Sequence, residues 1–144
     1  RSIILNASSG QPYARVVPDI IVERRGPDAT ARLAIDAKYK LYDERRLSSG
    51  DVYQSFLYAY AYGHTRGNSL PSALVVYPSS SGGTQAVRLR IRSAQTLAAA
   101  DILALGVSIP GVLKEVATRT HGPVTTALTQ AIRQGLGDGE WAAA

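Results

Sequence analysis

Residues 16–39 hold the pattern that most limits what this chain can fold into. Val16 to Glu23 reads Val-Val-Pro-Asp-Ile-Ile-Val-Glu, and its β-branched side chains favour an extended backbone. Pro18 brings no N–H to a ladder, so it marks the start of that strand, an edge or a bulge. Arg32 to Tyr39 reads Arg-Leu-Ala-Ile-Asp-Ala-Lys-Tyr and alternates. Leu33, Ile35, Ala37 and Tyr39 share one face; Arg32, Ala34, Asp36 and Lys38 share the other. Gly26-Pro27-Asp28 between the two runs is a turn signal. Together they predict a β-hairpin with a longish loop.

The remaining segments extend this into an α/β domain. Ser2-Ile3-Ile4-Leu5 is strand-like. Lys40–Gly50 is polar and predicts a connecting loop. Asp51–Gly63 predicts a helix, with Ser48 or Ser49 as its cap, Asp51 in the positive first turn and Gly63 at its end. Val52, Phe56, Ala59 and Gly63 lie along one stripe, with Tyr53, Leu57 and Tyr60 beside it. Ala73–Tyr77 predicts a short buried strand between Pro71 and Pro78, followed by a flexible turn at Ser79–Gly83. In Gln85–Arg92, Val87, Leu89 and Ile91 face one way and Arg88, Arg90 and Arg92 the other. This predicts a half-exposed strand pairing back on Ala73–Tyr77. Leu103–Ile109 predicts a further strand, and Pro123–Leu136 a final helix ended by Gly135 or Gly137. The tail to Ala144 is expected to be loose, pinned by Trp141. The order implies a central mixed β-sheet flanked by helices.

Composition narrows the chemistry. The 144 residues suit one domain spanning 1–144. The absence of cysteine excludes disulfides, thiolate metal sites and cysteine nucleophiles. His64 and His121 are too few for a histidine-built zinc site. No apolar run is long enough for a membrane helix, and no signal peptide is expected. Methionine is missing even at position 1, so a C-terminal fragment of a longer protein is expected. The net charge, 16 − 11 = +5, favours a polyanionic partner, and the charge is spread along the chain.

Asp19 and Asp36 lie on the two predicted hairpin strands, which run roughly 4.8 Å apart, so the hairpin can set them opposite each other. Two adjacent carboxylates repel, and each is pushed toward protonation. A hard divalent cation resolves that conflict. Mg²⁺ typically takes one or two carboxylates together with water and phosphate oxygens. The Ala37 carbonyl can add an oxygen. Lys38, on the same strand face as Asp36, can orient a water or neutralise charge building on a phosphate. Gln54 and Tyr58 share a helix face at i, i+4 and can hydrogen-bond a water or phosphate. The same residues also admit a plainer arrangement. Asp36 and Lys38 can form a solvated ion pair, Asp19 a turn carboxylate, and Tyr58 a wall of the helix–sheet core.

Pro18-Asp19, Asp36-Ala37-Lys38 and Gln54-Ser55-Phe56-Leu57-Tyr58 together resemble the PD-(D/E)xK nuclease superfamily, and the Gln-x-x-x-Tyr element its RecB-like branch. Val17–Val22, Ile35–Lys40 and Asp51–Tyr60 look most like the C-terminal nuclease domain of McrC proteins, from modification-dependent restriction systems. The resemblance is densest over residues 16–63. It implies a restriction-endonuclease-like fold with its catalytic core at about 16–92, and Mg²⁺-dependent cleavage of double-stranded DNA, with Mn²⁺ able to substitute. It makes Asp19 and Asp36 metal ligands assisted by the Ala37 carbonyl, Lys38 the catalytic lysine, and Gln54 and Tyr58 supports of the site. It also implies a prokaryotic cytoplasmic setting and an AAA+ GTPase of McrB type on another chain. This chain carries no Gly-x-x-x-x-Gly-Lys-Ser/Thr loop of its own. Cutting both strands needs two sites, so dimerisation in the active complex is expected. The family's first helix and its acid have no counterpart before Asp19, since residues 1–15 contain no Asp or Glu.

Arg24, Arg25, Lys40, Arg45 and Arg46 are expected to flank the site in loops and grip phosphates, or else to be solvated surface. Tyr39 and Tyr42 can stack on bases or bond phosphates, while Tyr60 and Tyr62 suit the core or the helix surface. Arg88, Arg90 and Arg92 suit a surface or partner-facing ladder. Three functional classes stay open: a metal-dependent endonuclease, a nuclease-fold DNA-binding or assembly module without turnover, and an α/β interaction domain.

Overall fold

A computed structural model describes residues 2–5, 7–27, 30–42, 46–63, 70–81, 85–91 and 100–137. Among them the chain runs β1 (Ser2–Leu5), β2 (Pro12–Val16), β3 (Ile20–Arg25), β4 (Thr30–Ala37), α1 (Ser49–Tyr62), β5 (Ser72–Pro78), β6 (Gln85–Ile91), β7 (Ala100–Val107), α2 (Ile109–Thr118) and α3 (Pro123–Gly135). β1 and β2 form a separate antiparallel pair; the other five strands form one sheet in the order β3-β4-β5-β7-β6. The two central pairings, β4–β5 and β5–β7, are parallel. The outer pairings, β3–β4 and β6–β7, are antiparallel. This mixed sheet flanked by helices is compatible with a restriction-endonuclease-like fold. No helix among the described residues is long and apolar enough to cross a membrane.

Alternation along the strands divides the core between the two faces of the sheet. Leu33, Ile35, Leu74, Leu103 and Leu105 face α3, which contributes Val124 and Ala131, with Val112 of α2 alongside. Ala34, Ala73, Val75 and Ile102 face the other way, toward Phe56, Tyr58 and Ala59 of α1. β4 is buried on both faces because it has a strand on each side and helices above and below.

Local chemistry sets the helix ends. Ser48 Oγ accepts from the Asp51 amide at 3.2 Å and caps α1. The helix closes at Gly63, whose N–H reaches the Ala59 carbonyl. A Cβ on Gly63 would stand 2.5 Å from the Ala59 oxygen and 2.7 Å from the Ser72 nitrogen, so glycine lets the helix end meet the start of β5. Gly122 offers α3 no capping side chain. Glu115 of α2 supplies the cap instead, accepting from the Val124 and Thr125 amides at 2.9 Å each.

Four expectations are corrected. Val16–Glu23 is not one strand: Val16 ends β2, and β3 starts at Ile20. Pro18, which has no N–H for a ladder, sits in the break. β6 does not pair with β5, because β7 lies between them. All eight residues of β7 are buried, so it needs neighbours on both edges, while arginine-bearing β6 suits the rim. The strand expected at Leu103–Ile109 spans Ala100–Val107, and Ile109 opens α2. That helix is hidden behind the turn-like Pro110-Gly111, but proline fits a first helical turn and Ser108 caps it. Finally, Arg24 and Arg25 lie in β3 rather than in a loop. His64, Arg45, Arg92, Trp141 and the tail fall outside the described residues, as does part of the Ser79–Gly83 turn.

Candidate active site

The β3–β4 register builds the site. Ile20 pairs with Ile35, so one step further along sets Asp19 opposite Asp36. Asp19 leaves the ladder there, and its Oδ2 accepts the Ala37 amide at 2.7 Å. An extended residue points its N–H and C=O to the same edge, which puts the Ala37 carbonyl on the Asp19 side. Both acids therefore sit at the carboxyl end of β4, where open α/β sheets commonly hold ligands.

Asp36 shares its face with Ala34 and points toward α1. It is only 6% exposed. Lys38 Nζ lies 2.7 Å from Asp36 Oδ2. Among the described residues, no donor other than that ammonium reaches Oδ2. Burial pushes the Asp36 carboxyl above the usual carboxylate range; Lys38 opposes the shift and Asp19 adds to it. Burial also disfavours the Lys38 ammonium, yet Asp36 and then Asp51 outweigh it and hold its pKa above the ordinary value.

α1 supplies the second layer. Lys38 Nζ donates to Gln54 Oε1 at 2.7 Å, and Gln54 Nε2 donates to the Tyr58 hydroxyl at 2.8 Å. The Tyr58 hydroxyl donates to the Val17 carbonyl at 3.0 Å. Tyr62, one turn on, donates to the Val16 carbonyl. The Gln-x-x-x-Tyr spacing thus links the lysine to the segment that carries Asp19. Burial and the nearby Asp36 charge raise the Tyr58 pKa.

The structure gathers Asp19, Asp36, Ala37, Lys38, Gln54 and Tyr58 at one place. Lys40 lies at its margin, with Nζ 3.2 Å from Asp51 Oδ2. Arg46 is exposed just before α1. Arg24 and Arg25 end β3, five and six residues beyond Asp19, which is about 16–20 Å along an extended chain. Arg24 reaches the Leu136 carbonyl, on the α3 side of the sheet, and Arg25 pairs with Glu23 at 2.9 Å. Arg88 and Arg90 both bind Asp101, a β7 carboxylate only 2% exposed. Burial opposes its charge, but the Arg90 and Arg88 bonds outweigh that and lower its pKa.

Asp51 has a larger part than its sequence position suggests. Its Oδ1 lies 3.4 Å from Lys38 Nζ. Its Oδ2 also accepts from the Tyr42 and Ser48 hydroxyls. These bonds, with Lys40 and Lys38, outweigh burial and hold the carboxyl well below the usual range. In sequence it resembles any acid in a first helical turn. Its three-residue offset from Gln54 was the available signal.

Among the described residues, no three carboxylate or imidazole side chains gather to hold a metal. A cation here would take two carboxylates and a carbonyl, a set that suits Mg²⁺ when water and phosphate complete the shell. The buried Asp36 Oδ2, which now meets the Lys38 ammonium, fits that role, since the position favours positive charge.

Fold and site define a mixed α/β domain with a carboxylate–lysine cluster at the end of a central strand. Residues 2–78 match the model of the McrBC 5-methylcytosine restriction system component family. The match covers more than half of the 144 residues, and the chain belongs to that family. It runs from β1 through β5 and contains every residue of the cluster. Its role therefore lies in a restriction system, with other components. No curated protein matches the chain.

Proposed function

We propose that this chain is the Mg²⁺-dependent DNA endonuclease module of a McrBC-type restriction complex, of PD-(D/E)xK type. The observation that supports this most strongly is the buried Asp36 carboxylate, set beside Asp19 and paired with the Lys38 ammonium at 2.7 Å. Asp19, Asp36 and the Ala37 carbonyl would hold Mg²⁺, or Mn²⁺ in its place. The bound cation would supply positive charge against the scissile phosphate. Lys38 offsets the charge that builds on the phosphate as water attacks. Gln54 holds the lysine head in place. Tyr58 fixes the backbone that leads into Asp19. Lys40, paired with Asp51, and Arg46, exposed just before α1, would grip the phosphates. An AAA+ GTPase of McrB type, on another chain in the prokaryotic cytoplasm, brings DNA to the site. Two copies act together to cut both strands.

The test is cleavage of a 5-methylcytosine-bearing plasmid with Mg²⁺, with and without the GTPase partner and GTP. Wild type cuts and Asp36→Ala does not. Equal cutting by both overturns the assigned site. Salt-sensitive DNA binding that survives Asp36→Ala, with no cleavage in any complex, identifies a binding or assembly module instead.

A further inference from the structure

Asp51 is the one acid at this site that the chemistry above leaves unused. Its side chain is 13% exposed, yet it meets two ammonium groups, Lys38 and Lys40, and two hydroxyls. Helix capping does not explain this, since Ser48 Oγ already caps α1.

The Lys38 ammonium rests among three oxygens: Asp36 Oδ2 at 2.7 Å, Gln54 Oε1 at 2.7 Å and Asp51 Oδ1 at 3.4 Å. Of these three, only the Asp36 oxygen belongs to the set that would hold a cation. An ammonium and a divalent cation repel strongly when both contact one buried carboxylate. A cation that takes Asp36 Oδ2 therefore displaces Lys38 from that oxygen. Asp51 is the nearest anion able to receive it, and the Gln54 contact can persist through so short a move. Resting on the nuclease reading above, we propose that Asp51 is a positioning residue. It takes over the Lys38 ammonium when a divalent cation occupies Asp36, and so keeps the lysine beside the reacting phosphate.

The proposal predicts that Asp51 affects metal affinity through Lys38. Without the Asp51 charge, the ammonium has Asp36 as its remaining anion and competes with the cation for it. Calorimetric titration of the metal-free chain with MnCl₂ measures this without reference to cleavage. Asp51→Asn should weaken Mn²⁺ binding about tenfold, as loss of a supporting group around a metal commonly does. In a Lys38→Met background the same change should shift affinity less than about twofold, which makes the two substitutions strongly coupled. Equal weakening in both backgrounds overturns the proposal, because Asp51 would then act directly on the metal. Ser48→Ala removes the cap and one hydroxyl bound to Asp51 but leaves the carboxylate and its charge, and should weaken Mn²⁺ binding much less than Asp51→Asn does. A loss matching that of Asp51→Asn would trace the effect to local folding and overturn the proposal. If wild type shows no Mn²⁺ binding that Asp36→Ala removes, the nuclease reading itself fails, and this inference with it.

Discussion

The Asp19 carboxylate accepts the Ala37 amide at 2.7 Å, joining the residue that precedes β3 to the last residue of β4. The bond lies where the ladder between the two strands ends. It satisfies an amide that would otherwise have no partner on that edge, and it holds one acid beside the other.

Asp36 is expected to be destabilising in the metal-free protein. Burial raises its pKa in the folded state. The folded protein therefore binds a proton more tightly than the unfolded chain, and stability falls as pH rises through the raised value. Asp36→Asn removes that penalty. At pH 8 the metal-free variant should melt above wild type. At pH 3, where the carboxyl is protonated in both states, the gain should vanish. Scanning calorimetry at the two pH values decides it, and a variant that melts lower at pH 8 contradicts the account.

Tyr58→Phe removes the hydroxyl that joins Gln54 to the Val17 carbonyl. The ring stays in the core, so the stability loss should be near 1 kcal/mol by urea denaturation. Cleavage should fall further, about tenfold, because the Asp19 segment and Gln54 both lose an anchor. An unchanged cleavage rate would separate this tyrosine from the site.

Gly63→Ala places a methyl carbon against backbone at Ala59 and Ser72, which no rotamer change can relieve. A loss of about 1–3 kcal/mol is expected, with a Tm several degrees lower. A wild-type Tm would show that α1 and β5 can separate without cost.

Glu115 holds the start of α3 through Thr125 and Val124, and these bonds lower its carboxyl pKa to about 2. An acid with a depressed folded pKa contributes stability above its ordinary pKa of 4.5 and loses it as pH falls toward 2. Glu115→Gln should therefore melt below wild type at pH 7, and the two should converge near pH 2. A difference that does not change with pH would locate the effect in packing. A Cβ on Gly122 would lie 2.4 Å from Glu115 Oε1, so a side chain there would push the Glu115 carboxylate from its place.

Much of the fold is legible along the chain because its signals are local. The alternation at residues 32–39 predicts β4, which spans Thr30–Ala37 and ends two residues sooner, and Ser48 with Gly63 brackets α1 to within a residue or two. β5 and α3 follow from apolar runs bounded by proline and glycine. α2 escapes because Pro110-Gly111 looks the same in a turn as in a first helical turn. The pairing of β6 escapes for another reason: adjacency in sequence favours a hairpin with β5, and nothing local reveals that a later strand is inserted between them.

The candidate site divides in the same way. The residue types at 19, 36, 38, 54 and 58, and their spacing, follow from sequence alone. So does the expectation that two carboxylates and a lysine meet on one face, because strand and helix periods fix which side chains share a face. Only the tertiary structure decided that Asp36 is buried, that Asp51 shares Lys38, and that Tyr58 and Tyr62 bond carbonyls at residues 17 and 16. It alone placed Arg24 and Arg25 far along β3. The physical reason is that burial, charge pairing and strand order depend on contacts between distant segments. Local propensity sets the direction of a side chain, but what stands opposite it depends on the whole sheet.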